Sequence, residues 1–449
     1  MKRFFEAILC QWRNSSPRKP LLLQGARQVG KTWLLKMFGQ NYFDDFILLD
    51  FAEDPKLSGF FQADLKPDRI LTDLSVYLGR DIFLDHTLLI FDEVQHCPQA
   101  LTSLKYFHEA YPEAYICASG SLLGLGLSQA DFPVGKVRRE WLRPMSFCEF
   151  LEALDETRLI QTLRSAARER AAISPPIHNQ AFALLKEYLI TGGMPEVVET
   201  YRNRRDTRVA AFKAARTLQR ELAESYLDDI AKHSGPLKAV RIAALFNSIP
   251  VQLAREHKGI RKFLFKEVLP GRSTYELLEG PLEWLIRAGL VHRVPICRTV
   301  RSPLGVYAER SSFMLYLFDV GILGAMLHLD PALIHQYDFG QFKGFLAENL
   351  VLTELICAGE ESIYSWRGTT AEIEFLLEKG ADIVPVEVKS GLNTKAKSLQ
   401  AYRSKYAPAI SLLFSALGVN RLDDGLLHAP LYLAADTIKS LFSTPKAQD

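Results

Sequence analysis

LLLQGARQVGKTWLLKMF, residues Leu21 to Phe38, decides the reading of the N-terminal part of this chain. A short apolar run, Leu21 to Leu23, feeds a loop that opens at Gly25 and closes on Gly30-Lys31-Thr32, and an apolar-periodic helix follows at once. Strand, glycine-framed loop and helix in that order form the phosphate-binding P-loop pattern. The spacing has a physical reason: a triphosphate is held by backbone N–H groups and a helix N-terminus, so the main chain must curl around it. Gly25, Ala26, Arg27, Gln28, Val29 and Gly30 are the expected cradle. Lys31 is expected to reach the β and γ phosphates, and Thr32 to offer its hydroxyl to Mg²⁺.

A P-loop needs an acidic partner, and Leu88 to Gln95 (LLIFDEVQ) supplies one. Asp92, at the end of an apolar strand, is expected to hold Mg²⁺ through water. Glu93 is expected to orient or deprotonate the water that attacks the γ phosphate. Another apolar strand, Tyr115 to Ser119, ends in Ser119-Gly120-Ser121, and Ser121 is placed to sense that phosphate. With Phe46 to Phe51 (FILLDF) as a further strand, four strands separated by helices predict a parallel sheet covered on both faces. Ligand is then expected at the C-terminal strand ends.

Composition bounds the rest. A chain of 449 residues exceeds one core and predicts two or three domains. The apolar fraction of 48% and charged fraction of 24% are ordinary for a soluble globular protein, and a net charge of +2 means that any nucleic-acid surface must be local. The densest local candidate is the arginine-rich helix pattern from Tyr201 to Arg220. The six cysteines form no CxxC pair, which argues against a zinc site or disulfide frame and suits a reducing cytosol. No signal peptide or membrane-length apolar run is read, so the expectation is a cytoplasmic protein without a membrane partner.

The order of the P-loop, the Asp92-Glu93 strand, ASGSLLGL and then Pro144 to Phe150 (PMSFCEF) resembles a family of bacterial and archaeal AAA-type P-loop ATPases. In that family the C-terminal part is a restriction-endonuclease-like domain of unassigned function. The resemblance implies ATP as the nucleotide, and four parts along the chain. These are an AAA-type core over 1–170, a helical lid or connector over 171–235, a winged-helix-like module over 236–310 and the restriction-endonuclease-like α/β domain over 311–449. Gly135-Lys136 stands where the family often has Gly-Arg, which leaves Arg138, Arg139 and Arg143 as candidates for an arginine finger and oligomerisation open. In the middle module a helix is read over Ala239 to Ile249, then a turn at Pro250. Asp319 is read as a helix cap.

The last part carries a second chemical pattern. Glu348 lies in a helical stretch, Glu372 and Glu374 on a strand, and Glu387-x-Lys389 on another, where alternation puts Glu387 and Lys389 on one face. Carboxylates around a divalent metal beside one lysine can generate hydroxide and stabilise a pentavalent phosphorus; the same pattern is also what any solvated strand shows. The arrangement resembles the restriction-endonuclease-like nuclease core, with Glu348, Glu374, Glu387 and Lys389 at its motif positions and Glu374 in place of the usual aspartate. The expected function is an Mg²⁺-dependent ATPase coupled to a nuclease-like domain, with DNA and a protein partner as further ligands. Two alternatives stand beside it, a nucleotide-gated switch with little turnover and an ATP-controlled Mg²⁺-dependent DNase.

Overall fold

Leu21–Gln24, Thr87–Asp92 and Ile116–Ser119 are buried along their whole length, the mark of parallel strands covered on both faces. They belong to the first of two units in the computed structural model, which describes residues 1–120, 135–255, 262–271, 273–337, 340, 342–391 and 394–442. That unit comprises Met1–Arg143 with Arg287–Gly289, and the second comprises Pro144–Ile286 with Leu290–Asp449.

The first unit runs α1 (Glu6–Arg13), β1 (Leu21–Gln24), α2 (Lys31–Tyr42), β2 (Asp45–Asp50), α3 (Pro67–Leu78), β3 (Thr87–Asp92), α4 (Pro98–Ala110), β4 (Ile116–Ser119) and β5 (Arg138–Trp141). Its sheet has the order β2-β3-β4-β1-β5, and every pairing is parallel. Two features go beyond the sequence reading. The sheet has a fifth strand, β5, at the edge beside β1; and β4 lies between the P-loop strand and the Asp92 strand. Arg138 and Arg139 lie in β5, where Arg138 pairs with Glu140 at 2.8 Å, and Arg143 lies 5.0 Å from the Trp141 ring centre. One face of the sheet is filled by Phe51, Phe61, Phe91 and Phe107, packed edge to face with centroids 5.6 to 6.1 Å apart. Around Trp12, a second aromatic group holds Phe38 at 6.5 Å and Tyr115 at 6.4 Å.

The second unit is built on an eight-stranded mixed sheet. Its strands are β6 (Val291–Cys297), β7 (Ala308–Leu317), β8 (Ile363–Arg367), β9 (Glu372–Lys379), β10 (Asp382–Lys389), β11 (Ser411–Ser415), β12 (Arg421–Asp423) and β13 (Leu426–Pro430). The order is β12-β13-β11-β10-β9-β8-β6-β7. Pairs β10/β11, β11/β13 and β6/β8 are parallel, and the others antiparallel. The strands β6 and β7 thus belong to the same sheet that carries the C-terminal residues.

Pro250 does not make the expected turn. It lies inside one helix, Pro236–Ala254. Proline removes one amide donor, but the buried face of Ile242, Leu245, Phe246 and Ile249 holds the helix through that gap, so packing overrides the local preference. Asp319 caps the helix Val320–Met326, accepting from Ile322 N at 2.8 Å, and also accepts from Gly193 N at 2.6 Å. The arginine-rich segment is not one solvated stripe. Arg216 in the helix Arg208–Ser234 is buried and donates to Gln219 Oε1 and Gly321 O, each at 2.9 Å. Arg205 and Arg208 face the buried Glu187 carboxylate at 3.6 and 3.5 Å. Among the described residues no helix is long and apolar enough to cross a membrane.

Candidate functional site

The turn from β1 into α2 takes its shape from three residues with positive φ: Gly25 at 152°, Gln28 at 65° and Gly30 at 91°. Gly25 has no alternative, because a Cβ there would lie 2.4 Å from Leu142 O. Gly30 is the N-cap of α2, so Lys31 and Thr32 begin the helix where its amide donors and positive dipole end are concentrated. Ala26 and Val29 are buried, Arg27 and Gln28 exposed, and Thr32 half-buried. From outside the loop, Arg3 donates to Val29 O at 3.0 Å and to Arg143 O at 2.7 Å.

Lys31 is only 7% exposed, and its Nζ donates to Gly25 O at 3.1 Å and Ala26 O at 2.9 Å. The loop thus holds its own lysine through carbonyl oxygens. Burial pulls the Lys31 ammonium down to about 8 from the ordinary 10.5, against the opposing pull of Glu93 and Asp92; Arg27 adds to the lowering.

Strand register brings the acids to the same edge. Leu23 of β1 pairs with Ser119 of β4, and Ala118 of β4 pairs with Phe91 of β3, so Ser119 lies next to Asp92. Ser119 Oγ donates to Asp92 Oδ1, while Asp92 Oδ2 is buried and has no hydrogen-bond partner among the described residues. Asp92 is 1% exposed. A carboxylate oxygen buried without a donor is costly unless a cation or water satisfies it. Together with the Thr32 hydroxyl, this donor set fits a hard divalent cation such as Mg²⁺. Glu93 follows with a left-handed backbone, φ 51°, and leads into a short 3-10 turn, Val94–His96, from which Gln95 Nε2 donates to Glu93 Oε2. Ser121 lies outside the described residues. Ser119, Gln95 and Arg3 were missed from the sequence. A polar residue ending an apolar strand could have flagged Ser119, whereas nothing local pointed to the other two.

In the second unit β9, β10 and the helix Phe342–Cys357 bring Glu374, Glu387, Lys389 and Glu348 within electrostatic reach of one another. Lys389 Nζ pairs with Glu387 Oε1, Val388 N donates to Glu374 Oε2 at 3.3 Å, and Tyr316 Oη of β7 donates to Glu348 Oε2 at 3.3 Å. Burial alone would depress the Lys389 ammonium. The carboxylates of Glu374, Glu387 and Glu348 outweigh it and hold the group above its ordinary value. Glu387 is 1% exposed, and its Oε2 has no hydrogen-bond partner among the described residues. Among those residues no group of three or more His, Cys, Asp or Glu is arranged to hold a metal ion. Two grooves flank Met314: one of about 320 Å³ lined in part by Tyr316, Arg367 and Glu374, the other of about 400 Å³ lined in part by Arg255, Lys262 and Glu348.

Residues 17–151 match the family model of an AAA domain. Residues 182–333 and 343–425 each match a domain of unknown function, DUF8612 and DUF4143. The N-terminal part thus matches an AAA domain model and is built on a parallel sheet. An uncharacterized protein of Methanocaldococcus jannaschii is 21% identical over 399 residues, which cover 86% of this chain and 78% of that one. Among solved structures, the Aeropyrum pernix ORC1 protein in complex with DNA is similar at TM-score 0.30 and 15% identity, covering 73% of this chain and 93% of its own. Drosophila ORC bound to DNA is similar at TM-score 0.28 and 14% identity, covering 72% and 94%.

Proposed function

We propose that the protein binds ATP with Mg²⁺ and hydrolyses it at the edge of the first sheet, and that this cycle governs a C-terminal nuclease-like, DNA-binding domain. The observation that carries the ATPase reading is Asp92 Oδ2, a buried carboxylate oxygen with no donor among the described residues, on the strand end that shares an edge with the P-loop.

In this reading Gly25, Ala26, Arg27, Gln28, Val29 and Gly30 present the main chain to the phosphates, and Lys31 leaves the carbonyls of Gly25 and Ala26 for the β and γ phosphates. Thr32 and Asp92 would hold Mg²⁺, which neutralises phosphate charge when bound. Ser119 keeps the Asp92 carboxylate oriented through Oδ1. Glu93 takes the proton of the attacking water, and Ser121 senses the γ phosphate. In the second unit Glu348, Glu374, Glu387 and Lys389 form the core of a restriction-endonuclease-like domain, with residues 236–310 as the winged-helix-like part. DNA, a protein partner and assembly into oligomers belong to the same proposal.

Phosphate release from Mg·ATP, with and without DNA, tests it. Wild type turns over. Glu93→Gln keeps ATP binding and loses turnover by at least ~100-fold, the usual scale for a general base. ATP binding without turnover under every condition would instead favour a nucleotide-gated switch. Cleavage of the added DNA that disappears in Lys389→Ala would favour an ATP-controlled DNase.

A further inference from the structure

Gln95, two residues after Glu93, has a further role, which rests on the ATPase reading above. Glu93 has φ 51°, a backbone conformation that side-chain-bearing residues seldom adopt and that neighbouring structure must hold in place. It turns the chain into the 3-10 segment Val94–His96 and so returns Gln95 to Glu93, where Gln95 Nε2 donates to Glu93 Oε2. The other end of the same amide, Gln95 Oε1, is buried and lacks a hydrogen-bond partner among the described residues. It points at the tip of β4: a Cβ on Gly120 would lie 2.5 Å from it.

We infer that Gln95 is a positioning residue for the hydrolysis reaction: its amide fixes one oxygen of the Glu93 carboxylate, leaves the other for the attacking water, and couples that carboxylate to the tip of β4 at Gly120. A glutamate otherwise distributes over many rotamers, and holding a reacting group to within about an ångström is worth on the order of 100-fold in rate. Gly120 is part of the device because a Cβ there would lie 2.5 Å from the carbonyl end of the amide and displace it.

The test compares wild type, Gln95→Ala, Gly120→Ala and the double variant in phosphate release, with ATP affinity measured separately by calorimetry. Each single variant is expected to lower kcat about 10- to 100-fold with the affinity for ATP unchanged. The double variant falls no further than the worse single one, since both act through one contact. Gln95→Glu, which sets a second carboxylate against Glu93, is expected to be at least as slow as Gln95→Ala. A wild-type kcat in Gln95→Ala overturns the assignment. So does a loss that adds to that of Gly120→Ala, because an independent structural defect behaves in that way. If wild type itself releases no phosphate, the ATPase reading fails first and this assignment with it; turnover by wild type and by Gln95→Ala at the same rate removes this assignment alone.

Discussion

Lys31 makes the sharpest prediction, because the binding of its proton and of its ligand are coupled at one buried position. Without nucleotide the ammonium is 7% exposed, held by two carbonyls and pulled down to about 8. Against a triphosphate it returns to at least its ordinary 10.5. The difference corresponds to about 3 kcal/mol, or a ceiling of roughly 300-fold in affinity. The sign follows from proton counting: free protein sheds this proton above pH ~8, and binding must put it back. Binding of Mg·ATP is therefore expected to take up about 0.5 proton at pH 8 and about 0.9 at pH 9, and affinity to fall about tenfold per pH unit above that. The free first unit shows the opposite slope: its folded value is below the unfolded one, so its stability rises with pH through the same window. Calorimetry of ATP binding in two buffers of different ionisation enthalpy gives the proton count directly. Uptake near zero at pH 9, or one dissociation constant from pH 7 to pH 9.5, would refute the assignment of Lys31 to the phosphates.

Further outcomes follow from single contacts. Gly25→Ala, whose Cβ meets Leu142 O at 2.4 Å, should destabilise the first unit by about 1–3 kcal/mol and weaken ATP binding, read by thermal melting with and without Mg·ATP. Lys389→Met strands the buried Glu387 carboxylate and should cost about 3–5 kcal/mol, whereas Glu387→Gln with Lys389→Met should recover most of it in urea denaturation. Burial pushes Asp319 up to about 6, above its unfolded value of 3.8, so its contribution to stability is full below pH ~4 and is lost as pH rises through ~6. Melting temperatures of wild type and Asp319→Asn between pH 4 and 7 should differ in slope in that direction; parallel curves would exclude it.

The parts legible in the sequence are those whose chemistry is contiguous. Gly25 to Thr32 reads as a strand-to-helix phosphate loop because all its constraints fall within a few residues, and Asp92-Glu93 because an apolar run ends there. Strand pairing is not local, so neither the insertion of β4 between β1 and β3 nor the edge strand β5 could be read. The bond from Ser119 to Asp92 and the brace from Arg3 to Val29 depend on that pairing and were hidden with it. In the second unit alternation gave the shared face of Glu387 and Lys389, but their ion pair and the Tyr316 bond to Glu348 come from tertiary packing. Pro250 misled for the same reason, since buried neighbours keep a helix where local preference would end it.

The short turn Arg287–Gly289 belongs to the first unit although it is encoded far beyond Arg143. A Cβ on its Gly289 would lie 3.3 Å from Ala26 N, in the phosphate loop itself, and 3.2 Å from the Trp141 ring. On a ribosome the strands β1 to β5 emerge well before this turn does, so the nucleotide loop waits, with one flank bare, while about a third of the chain, between Arg143 and Arg287, is still to be synthesised. A fragment cut at residue 143 would reproduce that nascent state, and only the longer chain would present a finished loop to its ligand.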